Sequence, residues 1–362
     1  MSKIAVLLIG DIAHDGRVKK EIRSLKSQGH EVILIYSASR QKQPDESLGI
    51  RTILIPKNSG GSTFSILFRN LLFYRKVRRT LKKIKPDYVH CNDLNTFVMS
   101  FFRIKGVKYV YDAHEMNMGI PALFKEYILT RLESSLIRRA HAVIVPQTDR
   151  LNLIRMKYRV APEKLFLLEN FPARITPGQT GFFTSEYDFR PEGRTVLSYS
   201  GVMDDDRCIK ELICAMKYVD KAVLFLIGNA GKTYKESLEK LIRQENLTDR
   251  IYLKPLAPQE KVLSIAQSTD IGICLYRPTS INNYFSASNK IYEYLSSGTP
   301  VIAYCTPGLL RLEDPHLFLV NQIRPEEIAM SIRQIQSHAG EQMNRTEYAW
   351  ENQEHILQEI YK

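Results

Sequence analysis

Short, continuous runs of apolar residues recur along the chain, separated by segments with helical spacing. In the first half, the runs cover residues 4–9, 32–36, 88–90, 108–111 and 142–145. Such runs are typical of strands buried on both faces, which occur mainly in parallel sheets. Between the first two runs, Val18, Ile22 and Leu25 follow helical spacing, and Gly29 is a typical helix stop. The pattern predicts a doubly wound α/β domain.

The same alternation begins again after residues 170–193, a stretch rich in proline and glycine that we interpret as a domain connection. Further apolar runs cover residues 196–200, 222–227, 251–253, 271–275 and 301–304. We therefore predict two domains, residues 1–170 and 171–346, from a chain of 362 residues at roughly 150 per domain. Open parallel sheets bind ligands at the carboxyl ends of their strands, so we expect a ligand cleft between the domains. Dehydrogenases, epimerases and glycosyltransferases all fit this architecture.

Positive charge is concentrated in the first half of the chain. Residues 1–170 contain 30 Lys or Arg and 15 Asp or Glu, whereas residues 171–362 contain 21 and 24. The first half should therefore attract anionic partners. The five cysteines lack paired short spacings, which indicates neither disulfides nor zinc and fits a cytoplasmic protein. The apolar run at residues 4–9 is too short to span a membrane and has no cleavage site after it, so secretion is not expected.

Residues 63–85 contain eight Lys or Arg and no acidic residue, interleaved with aliphatic and aromatic residues. A helix of this kind favours peripheral contact with an anionic membrane, which would place the protein at the inner face of the cell membrane. In the alternative interpretation, the apolar side of the helix packs on the sheet and the cations are solvated.

Residues 289–302 contain the clearest chemical motif. The segment starts with Asn289 and Lys290, has Glu293 one helical turn later, and ends in a Gly-Thr-Pro turn before an apolar run. A helix start presents free N–H groups and a positive dipole end to a diphosphate, and Lys290 would add charge. Glu293 would accept hydrogen bonds from ribose hydroxyls. The alternative is an ordinary amphipathic helix whose Lys and Glu are solvated.

A second segment, residues 199–212, runs from a strand through Ser200 and Gly201 into a helix beyond Arg207. Together the two segments resemble the family-4-type retaining glycosyltransferases, or group 1 glycosyltransferases, of the GT-B fold. The resemblance implies an α/β fold of two Rossmann-like doubly wound domains facing a central cleft. It also implies transfer of a sugar, with retention and without a metal, from a nucleotide-diphosphate sugar. The acceptor would be a glycan or a polyprenyl- or lipid-linked molecule in surface polysaccharide or glycolipid synthesis.

The resemblance also assigns site residues. The catalytic residues would be His114, Arg207 and Lys290, with a neutral His114 imidazole bonding the sugar or guiding the acceptor proton. Donor binding would use Gly16, Ser200, Gly201, Arg207, Asn289, Lys290 and Glu293, and the acceptor side would include His90, Asn92, Asp93 and Glu115. In the alternative interpretation, His90 is strand-end packing and Asp93 is a helix cap. No cofactor, metal or nucleic-acid partner is implied. A final helix within residues 347–362 would pack back on the first domain, and Trp350 is interpreted as a packing residue.

The chain departs from the family pattern at three positions. Val202 stands where many members have Arg, Cys208 where many have Gly, and Phe285 where many have a sugar-binding Glu. The triplet at residues 204–206 would bind Mg²⁺ or Mn²⁺ in a different fold, but before a helix Asp is a preferred cap, and we predict capping and solvation. Three alternative functions stay open: a nucleotide-sugar epimerase, a non-catalytic GT-B scaffold and a nucleic-acid-binding protein.

Overall fold

The computed structural model describes residues 1–37, 47–56, 63–116, 123–176, 178, 180–286, 288–337 and 345–362. Within these ranges, the side chains of residues 14, 63–71 and 123–129 are left out. The chain divides into unit 1, Met1–Glu169 with Gln353–Lys362, and unit 2, Asn170–Asn352. No helix in the described part of the chain is long and apolar enough to cross a membrane.

Unit 1 is built on a parallel sheet with seven described strands. These are β1 (Lys3–Ile9), β2 (Glu31–Ser37), β3 (Arg51–Leu54), β4 (Tyr88–Asn92), β5 (Lys108–Asp112), β6 (Ala142–Val145) and β7 (Leu165–Leu167). The sheet order is β3-β2-β1-β4-β5-β6-β7. Five strands correspond to the predicted apolar runs, whereas β3 and β7 were not predicted.

Helices connect these strands, as expected for a doubly wound domain. They are α1 (Gly16–Ser27), α2 (Thr63–Ile84), α3 (Asp93–Phe97), α4 (Leu123–Ile137) and α5 (Thr148–Tyr158). Helix α1 buries Val18, Ile22 and Leu25, which confirms the predicted helical face. The sheet order reverses between β1 and β4, and ligands of such folds bind beyond the carboxyl ends of strands at this point.

Unit 2 repeats this architecture with six described parallel strands. These are β8 (Thr195–Ser200), β9 (Ala222–Ile227), β10 (Ile251–Lys254), β11 (Ile271–Cys274), β12 (Val301–Tyr304) and β13 (Leu317–Val320), in the order β10-β9-β8-β11-β12-β13. The helices are α6 (Phe182–Tyr187), α7 (Ile209–Ala215), α8 (Lys232–Gln244), α9 (Val262–Gln267), α10 (Ile281–Tyr284), α11 (Asn289–Ser296), α12 (Pro307–Leu310) and α13 (Pro325–Ser337). The order reverses between β8 and β11.

Part of the stretch interpreted as a domain connection belongs to the core of unit 2. Helix α6 buries Phe182 and Phe183, and Phe183 packs against Phe225 of β9. The interpretation of residues 170–193 as a simple connection is therefore wrong for α6. Its aromatic residues lie in a segment without clear periodicity, so the sequence pattern did not reveal this packing.

The C-terminal segment returns to unit 1 later than predicted. Unit 2 extends to Asn352, and Trp350 is buried within it, donating its backbone N–H to Pro172. Residues Gln353–Lys362 join unit 1 through helix α14 (Glu354–Ile360). The Gln353 side chain bonds both backbone groups of Glu169, and Ser24 of α1 donates to Glu354 at 2.6 Å.

Candidate functional site

In unit 2, two predicted cations lie together at the carboxyl ends of β8 and β11. Tyr276 follows β11, and the guanidinium carbon of Arg207 lies 4.2 Å from its ring centroid. Lys290 Nζ lies 3.5 Å from the Tyr276 hydroxyl and 5.6 Å from the ring centroid of Tyr199. The structure therefore brings Arg207 and Lys290 to one aromatic side chain at the point where the sheet order reverses.

Gly201 lets Lys290 occupy this position. The residue has a φ of +144°, and a Cβ built on it would lie 2.8 Å from Cε of Lys290. Any larger residue would therefore displace the lysine side chain. Ser200 is the last residue of β8, so both predicted donor residues of this turn lie at the strand end on which the Lys290 side chain packs.

The first turn of α11 has no side-chain cap on its N–H groups. Its N-cap, Ser288, makes no side-chain cap, because its hydroxyl lies near Cys274 and Tyr276 instead. Asn289 and Lys290 are the first two residues of the helix. In the part of the chain that the structure describes, Lys290 forms no ion pair with a carboxylate. The combination of backbone N–H groups, helix dipole and two cations makes this end of the sheet suitable for a diphosphate.

Tyr294 anchors the helix that carries this lysine. Its hydroxyl donates to the Ser198 carbonyl at 2.8 Å, and its ring covers Gly272, where a Cβ would lie 2.3 Å from the ring. Glycine at position 272 is therefore required for helix α11 to approach β11 this closely. The Glu-Tyr pair of the motif thus contains one tyrosine with a structural role, while Glu293 is partly exposed.

The acidic triplet before α7 is engaged by protein groups. Asp205 pairs with Lys210 at 3.0 Å, and Asp206 accepts from Thr279 and Asn283 at 2.9 and 3.2 Å. Asp204 precedes the helical turn but makes no side-chain cap, so the predicted capping by this residue is wrong. Its Oδ1 lies 3.9 Å from Nε of Arg207 instead, which helps to orient the guanidinium.

Cys208 and Phe285 are two of the positions at which the chain differs from the family pattern, and the structure shows how each residue is accommodated. Cys208 has a φ of +54°, the left-handed conformation that favours glycine, and its side chain is buried. Phe285 follows α10 and packs edge-to-face on Tyr284. The loop expected to compensate for the missing Glu, residues 282–288, includes residue 287, which lies outside the described residues.

In unit 1, His114 lies beyond the carboxyl end of β5 and bonds the preceding strand. Its Nε2 lies 2.9 Å from Oδ2 of Asp112, and its Nδ1 lies 3.9 Å from Oδ2 of Asp93. Burial alone would lower the pKa of His114, but the charge and hydrogen bond of Asp112 raise it to about 9. The contact with Asp112 favours the protonated imidazole over the neutral form expected from the sequence.

Two residues predicted on the acceptor side are enclosed within unit 1. His90 is fully buried, with Nδ1 on the Tyr361 hydroxyl and Nε2 at 3.3 Å from Glu21. Asn92 is also buried and donates to the Leu7 carbonyl at 2.9 Å, which ties β4 to β1. Both assignments to the acceptor side are wrong, because a strand-end position does not tell which way a side chain points.

The other predicted residues of this unit lie closer to solvent. Asp93 is 32% exposed and accepts from the backbone N–H of Glu115 at 3.1 Å, and Glu115 itself is exposed. Gly16 is the first residue of α1, but the Asp15 carboxylate already caps that helix by accepting from Val18 at 3.0 Å. This capping carboxylate does not favour a diphosphate contact at Gly16.

A set of potential metal ligands, Glu21, His90 and Asp112, lies buried below His114. Arg17 already fills the space between the carboxylates, with Nε 3.1 Å from oxygens of both Glu21 and Asp112. The arrangement is therefore an ion network with its own cation rather than a candidate metal centre.

Family models match both units. The model for Glycosyltransferase Family 4 matches residues 17–171, and the model for Glycosyl transferases group 1 matches residues 184–352. The chain belongs to the group 1 glycosyltransferases. The sequence comparison with curated proteins gave no match.

Solved structures of similar fold cover almost the whole glycosyltransferase. Sucrose-phosphate synthase from Thermosynechococcus elongatus has 15% identity and a TM-score of 0.75, covering 100% of this chain and 95% of that one. HepE from Anabaena, in complex with UDP-glucose, has 15% identity and a TM-score of 0.70, covering 99% and 95%. WaaG, a glycosyltransferase involved in lipopolysaccharide biosynthesis, has 16% identity and a TM-score of 0.64, covering 99% and 96%. The glycosyltransferase has the GT-B fold, as predicted.

The sequence analysis missed several residues that contact the predicted site residues. In unit 1 these are Arg17, Glu21, Asp112 and Tyr361, and in unit 2 Tyr276. One signal was available for the first two, since Arg17 and Glu21 lie at i and i+4 on the apolar face of α1. Charged residues in an apolar stripe indicate a buried ion pair.

Replacing Gly201 with alanine should weaken nucleotide-diphosphate binding to the glycosyltransferase by roughly tenfold or more, because the new Cβ displaces Lys290. Isothermal titration with the nucleotide diphosphate measures the effect. Gly231→Ala is the matched control, since a Cβ there would meet nothing within 4 Å. Equal affinities of the two variants would contradict the close packing of Lys290 on this turn.

Proposed function

We propose that this glycosyltransferase moves a sugar, with retention of the anomeric configuration, from a nucleotide-diphosphate sugar bound on unit 2. The acceptor would be a glycan or a lipid-linked saccharide in surface polysaccharide or glycolipid synthesis. One observation carries the proposal: Arg207 and Lys290 converge on Tyr276 at the uncapped start of α11. That arrangement supports a site for a diphosphate leaving group.

The proposed chemistry follows from these groups. As the glycosidic bond breaks, negative charge develops on the diphosphate, and Lys290, Arg207 and the first N–H groups of α11 would stabilise it. Asn289 and Ser200 border the same space, and Glu293, one turn along the helix, would accept hydrogen bonds from the ribose. In a retaining reaction, the leaving diphosphate itself would accept the acceptor proton on the same face of the sugar.

Two structural neighbours support the substrate classes. HepE was solved with UDP-glucose, and WaaG is involved in lipopolysaccharide biosynthesis. They make UDP-sugars the first donors to test and cell-surface saccharides the first acceptors. The proposed independence from metal is supported by Asp205 and Asp206, whose carboxylates are bound by protein groups.

A thermal-shift screen against UDP, GDP, ADP and their sugars, with and without Mg²⁺, tests the donor site. A nucleotide at 100 times its dissociation constant should stabilise the protein by about 2.7 kcal/mol, with or without Mg²⁺. NMR of the product formed with the responding donor then gives its anomeric configuration. A scaffold would bind a nucleotide without turnover, and an epimerase would convert the sugar without an acceptor. A response to oligonucleotides alone would contradict the whole proposal.

We also propose peripheral contact with an anionic membrane, but by a surface different from the one predicted. In the described part of α2, the apolar residues Phe73, Val77, Leu81 and Ile84 are buried in the core of unit 1, whereas Leu72 is 42% exposed. The predicted insertion of this side is therefore wrong for the four buried residues, and the side chains of residues 63–71 lie outside the described residues. Cations of the described part of this helix are exposed, as is the lysine that follows it: Arg75, Lys76, Arg79, Lys82, Lys83 and Lys85.

An aromatic pair next to this helix supplies the apolar part of the surface. Phe101 and Phe102 are 64% and 38% exposed, and the Phe102 carbonyl accepts from Arg78 of α2 at 3.4 Å. Exposed Arg103 and Lys105 follow directly in sequence. Aromatic residues beside a cluster of cations are typical of proteins that bind anionic lipid headgroups.

Changing Phe101 and Phe102 to serine should weaken binding to vesicles of anionic phospholipid by roughly tenfold to 100-fold, as expected for losing two inserted aromatic side chains. Co-sedimentation measures it, and binding of the unmodified protein should fall with added salt. Met330→Ser, at a residue 60% exposed in unit 2, is the matched control. Equal binding to zwitterionic and anionic vesicles would overturn the membrane proposal.

A further inference from the structure

A buried salt bridge lies directly behind His114 in unit 1. Arg17 of α1 holds the Asp112 carboxylate with two hydrogen bonds, from Nε to Oδ2 at 3.1 Å and from Nη2 to Oδ1 at 3.0 Å. Nε2 of His114 lies 2.9 Å from the same Oδ2. Three side chains from two elements and one loop are thus joined through a single carboxylate.

Asp112 has no freedom to turn away from this contact. Its side chain is fully buried, and its backbone is paired with Asn92 on one side and Ile144 on the other. The guanidinium that holds it is fixed in turn, since Nη1 of Arg17 donates to the Leu168 carbonyl at 2.8 Å. A two-pronged guanidinium–carboxylate contact sets the plane of both groups.

The geometry leaves one orientation for the imidazole. Nε2 must carry a hydrogen to bond the carboxylate, so Nδ1 is the nitrogen on the side of Asp93. The backbone is held as well, because the His114 carbonyl accepts from Nη1 of Arg150. The His114 side chain is 18% exposed, so a small part of it stays open to a ligand.

We propose that Asp112, clamped by Arg17, is a positioning residue that turns Nε2 of His114 inward and makes Nδ1–H a hydrogen-bond donor to a sugar hydroxyl. The sugar ligand rests on the proposed transferase function, whereas the orientation of the ring does not. His114 would then act as a cationic donor and not as a proton acceptor. Neither Asp112 nor Arg17 touches substrate.

The charged groups around the ring support this protonation state. Asp112 from β5 and Asp93 from α3 face the imidazole as anions, and Arg17 from α1 opposes them. Arg150 of α5 reaches this residue at its backbone, where Nη1 donates to the His114 carbonyl. Burial would lower the pKa of His114, but the contact with Asp112 outweighs it and raises the pKa to about 9. The carboxylate stays ionised because, although burial would raise its pKa, Arg17 and His114 hold the pKa of Asp112 well below its usual range.

Long-range ¹H–¹⁵N spectra of the full chain labelled at histidine test this arrangement without any substrate. His114→Gln assigns the signal. In the unmodified protein, His114 should titrate near pH 9, well above an ordinary histidine, with hydrogen kept on Nε2 in the neutral form. A titration near pH 6.5, or a neutral form with hydrogen on Nδ1, would overturn the proposal even if no variant folds.

Two variants separate positioning from general electrostatics. Asp112→Asn should lower the midpoint of the His114 titration by more than one pH unit. Asp93→Asn removes a carboxylate 3.9 Å from the ring and should lower the same midpoint by less than half as much. In kinetics, Asp112→Asn should lower kcat on the order of 100-fold with little change in donor KM, and the alkaline fall in activity should begin at lower pH. Identical titrations in both variants would contradict the assignment.

The outcomes also distinguish this inference from the proposed function. The expected titration shifts without transfer from any nucleotide sugar would leave the positioning role in place and remove the transferase proposal. If the protein transfers sugar but Asp112→Asn leaves the titration of His114 unchanged, the positioning role is contradicted and the transferase proposal is kept.

Discussion

Lys290→Ala should lower kcat/KM for the nucleotide-sugar donor by about 100- to 1,000-fold, the usual loss when one group that stabilises developing negative charge is removed. Lys290 is held between Gly201 and Tyr276 at the uncapped start of α11, with its ammonium 3.5 Å from the Tyr276 hydroxyl. Other side chains therefore cannot easily take its place. Steady-state kinetics with saturating acceptor measure the loss.

The control for this variant is Lys235→Ala, which removes an exposed lysine from α8 in the same unit. Arg207→Ala should have a smaller effect than Lys290→Ala, since Arg207 is 23% exposed and already lies 3.9 Å from Asp204. The two effects should not add, because both cations act on one diphosphate. A change in kcat/KM of less than about threefold for Lys290→Ala would be too small for a direct contact with the leaving group.

Arg17→Met should destabilise the protein by about 3–5 kcal/mol, because it leaves two buried carboxylates, Asp112 and Glu21, without their shared cation. The melting temperature should fall by about 10 °C for a unit of this size. The loss should be smaller in acid, where the two carboxylates take up protons. Thermal unfolding between pH 5 and pH 8 measures the effect.

Arg23→Met is the matched control, since Arg23 lies on the same helix but is exposed. Its melting temperature should change by no more than about 2 °C, as expected for a surface substitution. Equal losses of stability in the two variants would contradict a structural role for the buried salt bridge.

The fold could be predicted because buried parallel strands leave a strong pattern. Continuous apolar runs predicted β1 and β8, which are interior strands of the two sheets. The strands β3, β7 and β13 are sheet edges and are mostly only partly buried. The last two consist of apolar residues, but at three and four residues they are too short to be recognised as strands from the pattern. A short strand with one solvated face cannot be told from a loop by composition alone.

The site was only partly predictable, because motifs show which residues are present and not where they point. Lys290 lies in the first turn of α11 and Arg207 lies just before α7, and the structure brings them together on Tyr276 as expected. His90 also follows a motif, but its ring turns inward to Glu21. Tyr276 was missed because an aromatic residue after an apolar run is usually part of the core.

The ten residues that unit 1 receives from the end of the described chain make its assembly depend on the order of synthesis. Tyr361 covers His90 and stacks on its ring, and the Lys362 carbonyl accepts from Tyr88 at 2.6 Å. These residues leave the ribosome only after the whole of unit 2 has been made. Until Tyr361 has been synthesised, the side chains of Glu21 and His90 are not fully shielded from water. Unit 1 therefore cannot reach its final stability before unit 2 has been translated. A segment made late in translation therefore completes the domain that begins first.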